Sequence, residues 1–460
     1  MGESTWTRRS ILSGATLAGG GLVVSAVLSR DQNHGRRLSA VPVTGSPSIQ
    51  DTDASAAAAP QLHSRKPKFT IITRFQKNHG WQSSSGRSAA VRMDDPTDFT
   101  LGKQSLTLTT DRSGAGVRID SPTYRFPIDL QGKIIRVLLK VDGLPRLETL
   151  RLYAGDGGFE NHRNFDLDLR EARVAASYLK EGEWTWVTLN ASAGSLVGRS
   201  HHAVTNWRFT ATSRPGSTVT IHLNALEFAT PPRTFPRGAV SICFDDGRLS
   251  PFLNARPALD DYGWAASLYP IVDRVAETPG GTYMTTSQLR QCRDISGWEV
   301  GVHSYTRRDH DAGFDALTPA QIRSNISAAR RWVQNNHLGL GAGLAWPLGA
   351  FSTAAADAAE TLCSYGRLNT TASLETWPPQ NLMRIRSAAN SESFTKVRQM
   401  IDQTTDSRGW LCLTFHEITP RGTESLSCSV RTFRRIVDYV ADKELAVLPV
   451  IDVLREGAQR

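Results

Sequence analysis

Two adjacent carboxylates close an apolar run, Ala239-Val240-Ser241-Ile242-Cys243-Phe244-Asp245-Asp246-Gly247. A short, β-prone and almost uncharged run reads as a buried strand. Gly247 gives the chain the freedom to turn sharply at its end. Successive strand residues point to opposite faces, so one Asp is free to hold a metal while its neighbour takes a proton. Alone, the pattern is also that of an ordinary Asp-Gly turn. Two further runs change its weight. Trp298-Glu299-Val300-Gly301-Val302-His303-Ser304 delivers a histidine to a strand end, and so does Trp410-Leu411-Cys412-Leu413-Thr414-Phe415-His416. A third run, Leu344-Ala345-Trp346-Pro347-Leu348-Gly349, ends in a Pro-x-Gly turn. Carboxylates and imidazoles predicted at one rim are groups able to hold a metal and to move protons.

The elements that must bring them together alternate. Strands are expected at 239–244, 265–271, 298–302, 343–347, 409–416 and 446–451, and helices at 251–262, 287–292, 318–336, 354–365 and 430–443. The 318–336 helix opens on Thr318-Pro319, an N-cap followed by Pro at the first helical position. Such alternation points to a parallel α/β sheet or barrel, with catalytic groups at the C-terminal strand ends. Upstream, 69–229 is a series of short β-type runs separated by turn residues, the pattern of a β-sandwich. Trp81, Tyr153, Trp184, Trp186 and Trp207 are its candidates for stacking on sugars, although core packing is the commoner use of such rings. Thr230-Pro231-Pro232-Arg233-Thr234-Phe235-Pro236 is a stiff boundary between the halves.

At the start of the chain, Trp6-Thr7-Arg8-Arg9-Ser10 precedes an apolar, glycine-rich stretch. This reads as a twin-arginine signal peptide over 1–29, followed by a disordered linker over 30–66 rich in Ser, Ala, Pro and Gly. No other run reaches the ~20 apolar residues of a membrane span, so membrane attachment is expected only through an uncleaved signal. The net charge of +9 favours an anionic partner such as a wall polymer. No basic run interleaved with aromatics is present, so nucleic acid is not an expected partner. Five cysteines do not make a disulfide scaffold in a chain of this length. Cys243 and Cys412 read as core residues, while two of Cys292, Cys363 and Cys428 are candidates for one bridge.

The order of the motifs resembles that of the polysaccharide deacetylase family (carbohydrate esterase family four, the NodB-homology domain). Phe244-Asp245-Asp246-Gly247 comes first, then His303-Ser304, the Pro347 turn, and Leu411-Cys412-Leu413-Thr414-Phe415-His416. The resemblance spans 237–451. It implies a distorted (β/α) barrel catalytic domain over 233–460. The all-β sandwich over 67–232 lies outside it and resembles, in architecture alone, the jelly-roll-like, carbohydrate-binding-like modules often attached to carbohydrate-active enzymes. The family resemblance implies a metal-dependent hydrolase that deacetylates N-acetylglucosamine-containing polysaccharide of cell-wall, chitin-like or exopolysaccharide type, and the twin-arginine signal makes that hydrolase an exported, secreted or cell-envelope one. Asp245 would be the general base, His416 the general acid for the leaving amine, and the Leu348 backbone N–H a donor of the oxyanion hole. Asp246 and His303 would hold a divalent metal, Zn²⁺ in the first place, with Co²⁺ or Ni²⁺ as alternatives.

The chain departs from the family pattern twice. Relatives carry His-Ser/Thr-x-x-His, and Arg307 stands where the second of those histidines falls. His310 is therefore taken as the third ligand, with Asp309 and Asp311 as alternatives. Many relatives carry Arg-x-Pro-Tyr where this chain has Ala345-Trp346-Pro347-Leu348, so Arg384 or Arg386 is expected to supply the cation beside the base. The competing readings are an O-acetyl, xylan-type esterase on the same scaffold, and a metal-free glycan-binding protein.

Overall fold

The computed structural model describes residues 57–62, 66–84, 90–169, 171, 174–199, 203–369, 374–389 and 393–459. The expected signal and most of the expected linker lie outside them. Both the sandwich and the α/β half belong to one compact unit, residues 52–460.

The first half is two antiparallel six-stranded sheets. One runs Thr185–Asn190, Ile134–Asp142, Thr220–Ala229, Ser105–Thr109, Ala90–Asp95, with Thr70–Thr73 on the far part of Thr220–Ala229. The other runs Ser195–Val197, His162–Asp166, Leu147–Gly155, Asn206–Ser213, Val117–Asp120, Gln82–Ser83. Burial alternates along Asn206–Ser213, as expected for a strand with one face on a core and one toward water. Leu106, Val137, Leu139 and Ile221 from the first sheet join Leu150, Leu152, Trp207 and Phe209 from the second in one hydrophobic cluster. The layering follows from the alternation, but a jelly-roll winding does not. Most of the rings considered for sugar stacking have other work. Trp81 and Trp207 are core residues, and the Arg136 guanidinium lies 4.1 Å from the Trp186 ring. Trp184 Nε1 donates to Asp98 at 3.1 Å, and Tyr153 packs on His162.

In the second half, parallel strands run Glu299–Val300, Ser267–Pro270, Ala239–Asp246, Trp410–Phe415, Ala388–Ala389, and Ala446–Val447 pairs with the start of Ala239–Asp246. Every residue of Ala239–Asp246 is buried, which suits a parallel strand covered on both faces. Gly343–Ala345 and Tyr365–Arg367 form a separate parallel pair. Among the described residues no continuous closed barrel ladder is seen. Strands of two or three residues leave the ladder interrupted, and only single bridges, Val302 to Leu344 and Arg367 to Ile385, span the gaps. The core beneath is aromatic: Phe244 stacks on Trp298 at 5.1 Å and packs against Phe415 and Phe433.

Helix Pro319–Asn335 starts as the sequence predicts, with a capping box between Thr318 and Gln321. The segment expected as one helix over 251–262 is a π turn, Pro251–Ala255, followed by the short helix Arg256–Asp260. The strand expected over 446–451 is only Ala446–Val447, and the chain continues as helix Val450–Gln459. Val450, Ile451, Val453 and Leu454 are buried together with Trp410, a helical spacing that overrides the short apolar run. All five cysteines are buried and free, the bridge candidates Cys292, Cys363 and Cys428 included. Within the stretch read as linker, Ala57 N–H donates to Gln334 at 2.9 Å and Pro60 O accepts from Ser364 at 2.6 Å. Among the described residues no helix is long and apolar enough to cross a membrane.

Candidate active site

The strand Ala239–Asp246 carries both carboxylates to its end, where Asp246 takes a left-handed backbone at φ 67 and Gly247 another at φ 74. A non-glycine residue there is strained, and such strain persists only where the surroundings impose it. The consequence is that the two neighbours face different partners. Asp245 is ion-paired to Arg367. Asp246 Oδ1 lies 3.7 Å from His303 Nε2 and 3.6 Å from His310 Nε2. Asp246 Oδ2 is 3.4 Å from Arg248 Nε, and Arg248 also reaches Glu417 at 3.2 Å.

His310 arrives by a local device. Thr306 caps the short helix Arg307–Ala312 by accepting from Asp309 N–H, and the helical turn swings His310 inward. Arg307, at the family's ligand position, instead pairs with Asp311 at 2.7 Å. Asn325 of the long helix ties the turn down. Its amide donates to Asp309 at 2.8 Å and its oxygen accepts from Tyr305 N–H at 2.8 Å. Of the alternative ligands, Asp309 is thus engaged with Asn325, and Asp311 serves His310. His310 Nδ1–H donates to Asp311 at 2.9 Å, and His303 Nδ1–H donates to the Ala345 carbonyl at 2.8 Å.

These bonds fix both rings with Nε2 inward, 3.2 Å apart. With Nδ1–H committed, each neutral ring presents a lone pair at Nε2. Two lone pairs and a carboxylate at such spacing repel unless a cation lies among them. Burial first, then the neighbouring His310, pushes the His303 imidazole downward, more than offsetting Asp245 and Asp246. A neutral imidazole is the form that ligates. The donor set, two anchored imidazoles and one carboxylate, fits Zn²⁺ or a similar divalent ion. A second trio, Asp98, Asp142 and His222, sits in the sandwich. There Lys140 Nζ already bonds Asp98 and lies 3.2 Å from Asp142, so the charge is compensated.

Arg367 is the residue that sequence reasoning missed. It stands at the end of the three-residue strand Tyr365–Arg367, 1% exposed. Besides Asp245 it bonds Thr414 Oγ1 and the Leu368 carbonyl, both at 2.9 Å. Burial alone would raise the Asp245 carboxyl. Arg367 foremost, then His303 and His416, outweigh burial and hold it below the usual carboxylate range. The two arginines expected in this role are elsewhere. Arg384 pairs with Glu183 of the sandwich at 2.7 Å, and Arg386 with Glu375 at 2.6 Å. Each meets a carboxylate that no local pattern could reveal.

His416 follows the strand Trp410–Phe415 and is buried, and its Nδ1 has no hydrogen-bond partner among the described residues. Leu348 sits in the turn Pro347–Gly349 with φ 56 and its side chain exposed. The next two N–H groups are spent inside the turn, Gly349 on Trp346 and Ala350 on Pro347, both at 2.9 Å.

Residues 233–363 match the family model described as polysaccharide deacetylase. Among solved structures, the chain is similar to the Xyl-CE4 domain of a multidomain xylanase from the hindgut metagenome of Trinervitermes trinervoides. Identity there is 17% and the TM-score 0.36, over 48% of this chain and 91% of that one. It is similar also to a family 4 carbohydrate esterase from Streptomyces lividans (19%, TM-score 0.33, 46% and 91%). A variant of the peptidoglycan deacetylase PdaC from Bacillus subtilis is a third (15%, TM-score 0.34, 48% and 92%). No curated protein matches the chain.

Proposed function

We propose that this chain, whose C-terminal half carries a domain of the polysaccharide deacetylase family, is a metal-dependent hydrolase that removes acetyl groups from N-acetylglucosamine-containing polysaccharide. One observation carries the reading: ligand atoms of Asp246, His303 and His310 meet beside a carboxylate held ionised by a buried arginine. Asp246, His303 and His310 would hold the divalent ion, which would supply Lewis-acid polarisation and a nucleophile at neutral pH. Asp245 takes the proton of the attacking water, and Arg367 keeps it in the form able to do so. The Leu348 N–H is offered to the oxygen on which charge develops. His416 gives a proton to the departing amine as the carbon–nitrogen bond breaks. Acetate is released, and the amine that stays on the polymer gives it positive charge.

The net charge of +9 suits an anionic envelope polymer, and the Arg8-Arg9 pattern supports export by the twin-arginine route. The test is metal analysis of the purified protein together with acetate release from N-acetylated chitooligosaccharides and from acetylxylan. Stoichiometric divalent metal and release from the former, both lost in Asp246→Ala, are expected. Release only from acetylxylan, or equal activity in Asp246→Ala, would overturn the reading.

A further inference from the structure

The sandwich does more than adjoin the α/β half. Residues 175–183 lie on the turn that carries Leu348. The Phe351 N–H donates to the Ala175 carbonyl at 3.1 Å. Lys180 Nζ sits 3.5 Å from the centre of the Phe351 ring and donates to the carbonyls of Ala175 and Ser177, both at 2.8 Å. Arg384 lies 5.1 Å from the same ring. It is held by Glu183 through two bonds of 2.7 and 2.8 Å and by the Tyr178 carbonyl at 3.2 Å. Glu183 also accepts from Thr353 at 2.9 Å, just beyond the turn. On the inner side, Phe351 stacks on Trp346 at 5.4 Å, and Trp346 Nε1 donates to the Met383 carbonyl at 2.8 Å. Even the gap at Gly349 is set by the sandwich, since a Cβ there would lie 3.3 Å from Ala176.

We infer that residues 175–183 are a positioning element of the deacetylase site, and that they fix the 346–351 turn so that the Leu348 N–H meets the developing oxyanion. The inference rests on the deacetylase reading for its catalytic consequence, but the grip itself is independent of it. The turn holds Leu348 at φ 56 and Gly349 at φ 66. Two successive left-handed residues are not a conformation that a free loop keeps. A donor to an oxyanion is useful only if its position is set before reaction. The accessory half is therefore a working part of the catalytic rim, in addition to any glycan it binds.

The test uses the full chain with Glu183→Gln, Arg384→Gln and the double variant. Gln403→Ala serves as a control elsewhere on the same interface, where Gln403 donates to the Ala193 carbonyl at 3.2 Å. The readouts are kcat, KM, metal content, and amide hydrogen exchange at Gly349, Ala350 and Phe351. Should a single variant fail to fold, the double variant, which leaves no unpaired charge, carries the test. Faster exchange at the turn, with kcat down about 10- to 100-fold and KM and metal content unchanged, is expected. Because the two residues act through one contact, the double variant should be no worse than the worse single. Gln403→Ala should match the parent. Unchanged exchange at the turn overturns the inference, and so does faster exchange with undiminished kcat in an active enzyme. A parent without deacetylase activity whose turn still loosens upholds the grip and overturns the deacetylase reading instead.

Discussion

Arg367 donates through Nη2 to Oδ1 of Asp245, and both side chains are buried. The bond spans two strands that do not pair with each other, so it ties the separate Tyr365–Arg367 strand to the main sheet at the point of chemistry. Removing the cation leaves burial as the largest influence on Asp245, and burial raises a carboxyl. Asp245, the proposed base, would then be protonated at pH values where the parent's carboxyl is ionised. Arg367→Met is expected to move the acid limb of kcat/KM to higher pH, and Arg367→Lys to move it less. An acid limb that stays in place in Arg367→Met would show that the pair does not set the base.

His310 and Arg307 exchange expectations. Arg307 occupies the family's ligand position yet pairs outward with Asp311, while His310 Nε2 faces His303 Nε2 and Asp246. His310→Ala should lose metal on dialysis, and Arg307→Ala should retain it. Asp311→Asn tests the orienting bond to Nδ1. Losing such support costs roughly 10–100-fold in metal affinity, read by competition with a chelator. Equal metal content in His310→Ala and Arg307→Ala would refute the assignment.

What could be read from the sequence follows from strand length. Asp245, Asp246 and His416 each end a long apolar run, Ala239–Asp246 or Trp410–Phe415, and such runs declare themselves. His303 was legible from 298–302, although only Glu299–Val300 is laddered. His310 followed from ligand chemistry, and the Thr306 cap that delivers it was there to be used. Arg367 was not legible, because three residues show no period and its partner lies in a different strand. The cations that the local sequence does offer, Arg384 and Arg386, are claimed by Glu183 and Glu375 through contacts that arise only in three dimensions. The same brevity concealed where the parallel strand ladder is interrupted.

Lys180 carries a pH dependence of its own. Burial, then the neighbouring Arg384, pushes its ammonium down to about 7, against weaker support from Glu183 and Asp315. An unfolded lysine titrates near ~10.4. Between those values the unfolded chain binds more protons than the folded one, so folding stability rises with pH. It is lost again as pH falls through the folded value. The thermal midpoint of Lys180→Met should rise less than the parent's between pH 7 and about 10. Parallel midpoint curves for the two proteins would refute this.

Beneath the site, Tyr365 Oη lies 2.7 Å from Tyr269 Oη and donates to half-buried Glu299 at 2.7 Å. Ser267 Oγ donates to the other Glu299 oxygen at 2.7 Å, and the Arg367 guanidinium lies 5.0 Å from the Tyr269 ring. This polar chain exists because Gly343 leaves room for it, since a Cβ there would fall on the Tyr365 hydroxyl and ring. Gly343→Ala must displace Tyr365 or spread the strand pair Gly343–Ala345 and Tyr365–Arg367. Either change overpacks a full core, at about 1–3 kcal/mol, and weakens the hydrogen-bonded support of the Glu299 carboxyl. The displacement also runs along the strand to Arg367 and so to Asp245. Gly281, with open space around it, supplies the comparison, because Gly281→Ala should change stability by no more than about 0.5 kcal/mol. Denaturant midpoints for the two variants decide the matter. A Gly343→Ala protein as stable and as active as Gly281→Ala would show that the core yields at this point without disturbing the base.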